Sequence, residues 1–499
     1  MKKKDWNEGL NHLDPDLVEE YVIQKEAYAQ KKKRVKPYWL AAVAAMLVLT
    51  ICLSMFMGGN IIPGGTTGPV QIGSKPTTDP NAQFVNLLAA PVYPEMAVYP
   101  NYTDYPDWKD YDQAYAVWRE SQHLQYNQPS GYADSLTNFF YTSIAQFLQG
   151  DGNPTYSPVN VYLAMAMLAE TTDGNSRRQI LDLFGADNIE QLRQQAGYVW
   201  NAHYCEDGQT SLLLANSLWL DNAYVFKQPA AELLANRYYA SSFNGDLGSE
   251  EMNQYLQNWL NENTGGLLTE QAENVHLSPE TVFALASTVY FTASWKEEFS
   301  ANSTKEGVFH SANGDISAPF MNRTMDTYMY FWGDNFTAVY LKLTGNNTMW
   351  LILPDEGYTV TEILESDDYL RMTMDPGVWE DKGVYTINLS LPKFDVSDHQ
   401  DLCEGMKALG VTDIFNYEIS DFTPLTDTPE LFVSKIDHAA RVAIDEKGCV
   451  GAAFTVIQME PGTAPGEWEE VDIVLDRPFL FVVSSRDNLP LFSGVVNEP

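Results

Sequence analysis

The residues that could take part in chemistry gather between Asp445 and Pro478, DEKGCVGAAFTVIQMEPGTAPGEWEEVDIVLDRP, and the chemistry is done to them rather than by them. From Gly448 to Thr455 every second residue is small, namely Cys449, Gly451, Ala453 and Thr455, and alternate residues of an extended chain share one face. Such a face could be buried between two existing strands at little steric cost; a turn between two strands is the plainer reading of the same residues. Pro461, Gly462, Pro465 and Gly466 come next. They oppose pairing inside a sheet and favour an exposed loop open to proteolysis. The chain shows no catalytic constellation: it lacks G-x-S-x-G, H-E-x-x-H, G-x-x-x-x-G-K-[ST] and C-x-x-C patterns. Its seven histidines have no metal-ligand spacing, and 67 carboxylates make chance acid pairs uninformative. No catalytic residue, metal or cofactor is expected.

The elements that must carry this loop occupy only part of the 499 residues, a length suited to one large mixed domain with appendages. Residues 1–37 hold nine basic and seven acidic side chains and form an N-terminal cytoplasmic segment, with Asp16 to Lys33 reading as a charged helix. Tyr38 to Met57 is an uncharged, mostly apolar run behind Lys31-Lys32-Lys33-Arg34. Twenty helical residues span about 30 Å, the thickness of a bilayer core, so residues 38–58 are expected to be a single transmembrane signal-anchor with everything after them outside the cell. A cleaved signal peptide is the competing reading, but the run is not succeeded by an A-x-A site. Residues 59–130 read as an extracellular linker or stalk, Gly/Pro/Thr-rich to Pro80 and then rich in Tyr, Pro, Asp and Trp. That second stretch could equally fold onto the domain or bind a surface. Residues 131–499 make the main domain. Beyond residue 37 there are 21 basic and 60 acidic side chains, a surface that repels nucleic acid and other polyanions. The four cysteines, one of them inside the apolar run, suggest no disulfide framework.

From Leu136 onward the chain resembles the serpin family. Ser157-Pro158-Val159-Asn160 with AMAMLAETTDGNSRRQILDLFG is similar to the family's second helix and the run after it, and FALASTVYFTASWKEEF, Phe283 to Phe299, to its central strand. LPKF, ALGVTDIF, VSKIDHAARVAIDEKG, DRPFLFVV and PLFSGVVNEP then occur in the family's order up to Pro499. The resemblance implies an α+β serpin fold, with helices packed on three β-sheets and an exposed reactive-centre loop. It implies a monomeric suicide-substrate inhibitor of secreted serine proteases; the apolar run at Tyr38 to Met57 makes the expected protein a bacterial-type, membrane-anchored member, and its acidic surface argues against a heparin-like cofactor. A non-inhibitory serpin-fold surface-binding module is the alternative.

The same resemblance assigns roles. The hinge is Glu446, Gly448, Cys449, Gly451, Ala453 and Thr455, where Cys449 stands in place of the family's hydroxyl residue and the inward positions hold no charge or Pro. The shutter and breach are Ser157, Asn160, Ser287, Trp295 and His438. Asn160 and Ser287 exchange the family's Ser and Asn, which would keep one hydroxyl and one amide in one buried network. Family spacing puts the reactive bond sixteen positions after Glu446, between Gly462 and Thr463, within the loop Met459, Glu460, Pro461 and Ala464. Small residues there suit the shallow pocket of an elastase-like or subtilisin-like protease. A trypsin-like pocket would find no Lys or Arg.

Overall fold

Thr210–Asp221 and Phe283–Ser294 are twelve-residue runs dense in Leu, Val, Phe and Thr, the composition of strands buried in a sheet. In the computed structural model, which describes residues 85–150, 152–449 and 469–499, they lie side by side at the centre of the first of two sheets. Its order is β1 (Asn86–Ala89), β5 (Ala240–Gly245), β4 (Thr210–Asp221), β6 (Phe283–Ser294), β14 (Gly448–Cys449), β13 (Asp437–Ile444) and β12 (Phe394–Asp401), with β3 (Cys205–Glu206) paired to β4. The Tyr38–Met57 run and the loop residues Gly451, Ala453, Thr455 and Met459 to Ala464 lie outside the described residues. Among the described residues no helix is long and apolar enough to cross a membrane.

The second sheet runs β15 (Glu470–Val474), β11 (Lys382–Pro392), β8 (Gly314–Trp332), β9 (Phe336–Lys342), β10 (Thr348–Pro354), β16 (Phe479–Ser484), β17 (Pro490–Val496) and β2 (Thr155–Tyr156), with β7 (Lys305–Ser311) paired to β8. Three sheets were expected; the described residues form two hydrogen-bonded networks. The reason is β8. This nineteen-residue ribbon pairs with β7 and β11 along most of its length and then with β9 at Phe331 and Trp332, which fuses the expected second and third sheets.

The helix Pro158–Thr171 sits in the main core. Pro158 occupies its first turn, where a missing N–H costs nothing, and nearly every face is buried, including Val159, Tyr162, Met165 and Ala169. A helix apolar all round belongs between layers, and this one packs on β6 and β17. Its first turn therefore carries Ser157 and Asn160 to the first sheet.

Among the described residues, 85–130 pack on the body, the alternative to a linker or stalk over that stretch. β1 adds an antiparallel edge strand to β5. Tyr93 stacks on Tyr204 and Tyr239, and Trp200 lies 3.5 Å, centroid to centroid, from Tyr239. The helix Trp108–Ser121, capped by Asp107, sends the Trp118 indole N–H to Asp207 Oδ2 at 3.1 Å. The Gln125 amide donates to the Tyr204 carbonyl, and Arg486 covers the Tyr126 ring at 3.9 Å.

A candidate functional site in an incomplete sheet

β14 is a two-residue stub. Gly448 pairs with Ser294 and Cys449 with Ala293 of β6, and Cys449 pairs with Ile444 of β13. On its other side β6 is paired to β4 from Phe283 to Ala293, and β13 is paired to β12 along all eight residues. Below the stub, among the described residues, no strand occupies the space between β6 and β13. Burial along β6 respects that division. The last four residues, beside the stub, are buried, whereas seven of the eight residues from Phe283 to Tyr290 are only half-buried, an unusual state for a strand inside an eight-stranded sheet. Gly448 is demanded by the close approach at the top of the slot, where any Cβ would run into the Ala293 carbonyl oxygen.

The stub is held at its root. The Trp295 indole N–H donates to the Asp445 carbonyl at 2.8 Å and its main-chain N–H to the Lys447 carbonyl at 2.8 Å. Phe299 N–H reaches the Glu446 carbonyl at 2.9 Å. The Glu446 carboxylate takes Lys393 Nζ at 2.6 Å and the Thr304 hydroxyl at 2.8 Å. Burial works to raise the Glu446 pKa, but these two donors outweigh it and the net shift is downward. Lys393 and Thr304 carry no signal in the sequence around the loop, because both reach Glu446 only through the tertiary fold.

Lower in the slot, His438 Nε2 accepts the Ser157 main-chain N–H at 3.1 Å, and the Ser157 hydroxyl donates to the Leu491 carbonyl at 2.7 Å. Asn160 Nδ2 donates to the main-chain carbonyl of Ser287 at 3.2 Å. The exchanged pair thus meets, but the bond runs to the backbone rather than to the Ser287 hydroxyl, and Asn160 Oδ1 is buried without a hydrogen-bond partner. Cys449 is buried with a free thiol whose pKa burial pushes up to about 12. Among the described residues no group of three or more His, Cys, Asp or Glu side chains could hold a metal ion.

His438 is a pH-dependent weak point. Burial first, and then the nearby His399, lower its pKa from 6.5 to about 3, so the native state keeps it neutral while the unfolded chain takes up a proton below pH 6.5. The stability this provides is complete above pH 6.5 and declines as the pH falls toward 3, by up to about 1.4 kcal/mol per unit. Protonated, both ring nitrogens are donors and the bond from Ser157 is lost. His438→Asn, which keeps an acceptor but does not titrate, is expected to flatten that part of the profile. Urea midpoints of both proteins at pH 7, 5 and 4 check this, and parallel profiles would refute it.

Comparison with known proteins bears on the same residues. Residues 134–499 match the family described as Serpin (serine protease inhibitor). Serpin-ZX of Arabidopsis thaliana is 28% identical over 401 residues, covering 76% of this chain and 99% of its own. Alpha-1-antiproteinase 2 of Equus caballus is 26% identical over 399 residues, covering 78% and 91%. The native-state structure of the thermophilic serpin tengpin superimposes with a TM-score of 0.66 at 24% identity, covering 75% of this chain and 95% of that one. The segment 85–130 lies before the family match.

Proposed function

The chain belongs to the serpin family of protease inhibitors and is not an enzyme, and from that premise we propose that it traps extracellular serine endopeptidases of the elastase or subtilisin type as a suicide substrate. The observation that supports this reading is the slot between β6 and β13, which no strand of the described residues fills below Gly448 and Cys449 at its head. Continuing the register of the stub sets Gly451 opposite Phe291 and Val442, Ala453 opposite Val289 and Ala440, and Thr455 opposite Ser287 and His438. Those β6 and β13 partners, apart from Ser287 and His438, belong to the main hydrophobic core or pack against it. The row of small residues therefore matches the face that must be buried.

The loop is tethered at both ends while intact, by β14 in the first sheet and by β15 in the second. The protease serine attacks the Gly462 carbonyl and expels the Thr463 amine, leaving Gly462 as an acyl ester on the protease and freeing the upstream end. Fifteen residues from Gly448 to Gly462 then extend by roughly 50 Å at about 3.3 Å each, carrying the protease across the domain. Its oxyanion hole, which depends on sub-ångström positioning, is distorted before water can cleave the ester. The acidic surface argues for a monomer that works without a polyanionic cofactor, and Tyr38–Met57 would display it on the cell surface with the N-terminus cytoplasmic.

Incubating the full-length protein with a subtilisin-type protease is expected to give a denaturant-resistant complex, whereas trypsin gives none. Mass spectrometry of the released C-terminal fragment should find its first residue between Pro461 and Pro465. A first residue before Gly448 or after Asp476 would remove the reading.

A further inference from the structure

The segment 85–130 meets the first sheet at the turn that leads into β4. Tyr99 N–H donates to the Asp207 carbonyl at 2.7 Å. The Trp118 indole N–H donates to Asp207 Oδ2 at 3.1 Å, and Asp207 Oδ1 accepts the main-chain N–H groups of Gln209 and Thr210 at 3.0 and 2.9 Å. One carboxylate thus closes the turn and fixes Thr210, which stands opposite Ala293 of β6. The Thr210 hydroxyl donates to Thr344 Oγ1 at 2.9 Å. Thr344 Oγ1 in turn donates to the Gln209 carbonyl at 3.1 Å and accepts the Ser294 main-chain N–H at 3.2 Å. Ser294 is the residue paired with Gly448 at the head of the slot.

This relay is buried along its whole length: Trp118, Asp207, Thr210, Thr344 and Ser294 are each at most 9% accessible. Hydrogen bonds in such surroundings polarise one another, and breaking one is felt by the rest. The relay is also tied to the second sheet at both ends. Arg486, in the turn between β16 and β17, donates to the Gln125 carbonyl and covers the Tyr126 ring, which holds the end of the segment that carries Trp118. Thr344 lies between β9 and β10. The heads of β4 and β6 are therefore fastened to a sheet other than the one that has to open.

We propose that Trp118 is a positioning residue for loop insertion, acting through Asp207, Thr210 and Thr344 to hold Ser294 at the head of the slot; this rests on the inhibitory reading above. Insertion begins at Val450, directly below the stub. A displaced Ser294 would draw Ala293 away from Cys449 and lose the register that the small residues require. A held head lets β6 part from β13 lower down while the stub keeps its pairing, so the strand enters before water cleaves the acyl ester. The segment that precedes the family match thereby works as part of the trap, promoting insertion from the far side of β4.

The test titrates full-length wild type, Trp118→Phe, Thr344→Val and the double variant against a subtilisin-type protease and measures the ratio of cleaved to covalently complexed inhibitor. Trp118→Phe keeps an aromatic ring and removes the N–H, and Thr344→Val keeps the volume and removes the central hydroxyl, so either stays informative should the other fail to fold. Loop cleavage should proceed at the wild-type rate, while the ratio rises on the order of tenfold in each single variant. Because both break one relay, the double variant should rise no further. Ratios equal to the wild-type value, or a double-variant effect that is the product of the two single effects, would overturn the relay while leaving the inhibitory reading intact. An uncut Trp118→Phe that converts on standing to a form melting far higher would overturn it too, since Trp118 would then restrain insertion instead of promoting it. A wild type that forms no covalent complex at all overturns both.

Discussion

Cutting the loop between Glu460 and Ala464 is expected to raise the unfolding temperature of the protein by roughly 20 °C or more. Among the described residues the inner edge of β6 is unpaired from Thr292 down to Phe283, and that of β13 from Ala443 to Asp437. An inserted strand pairs with both edges, each new ladder bond contributing about 1 kcal/mol net. It also covers the half-buried faces of Leu285, Val289 and Tyr290. On the proposed mechanism the uncut protein would hold this gain in reserve behind a kinetic barrier. Scanning calorimetry of intact and nicked protein at the same concentration reads the difference directly. A nicked protein that melts at or below the intact one would mean the slot receives no strand, and the domain would then be a passive binding head.

What the sequence disclosed, and what it withheld, divides along the physics of local and non-local contacts. The alternation of Cys449, Gly451, Ala453 and Thr455 is a period-two signal carried by neighbours in the chain, so it could be read before any fold was known. Val450 and Phe454 alternate with these residues and so belong to the other side of the same extended run. The segment 85–130 held no comparable signal. Tyr93 finds Trp200, Tyr204 and Tyr239 more than a hundred residues away, and neither its spacing nor its Tyr/Pro/Asp composition distinguishes a stacked aromatic from an exposed one. The anchor of the hinge was hidden for the same reason, since Lys393 and Thr304 reach Glu446 from separate elements. The Asn160–Ser287 pairing was legible as a meeting of two positions, but its chemistry was not. Whether an amide addresses a hydroxyl or a main-chain carbonyl depends on strand position at the ångström level, which residue types do not encode.

Thr455→Arg is expected to convert the inhibitor into a substrate. In the continued register residue 455 lies between Ser287 and His438, beside the Asn160 amide, at a depth where His438 is buried and uncharged. A guanidinium there would meet an imidazole held neutral by burial and no carboxylate among the groups that line this position, and an unpaired buried charge costs several kcal/mol. At about 4 kcal/mol insertion slows on the order of a thousandfold, long enough for water to hydrolyse the acyl ester while the protease is still undistorted. Binding and cleavage of the loop precede insertion and should be unchanged. Thr455→Val, which keeps the volume and removes only the hydroxyl, should retain most of the trapping, and this separates the effect of charge from that of shape. Denaturing gels after incubation with the same subtilisin-type protease should show cleaved protein in place of the covalent complex for the Arg variant alone. A complex at wild-type yield from Thr455→Arg would show that residue 455 never enters the sheet.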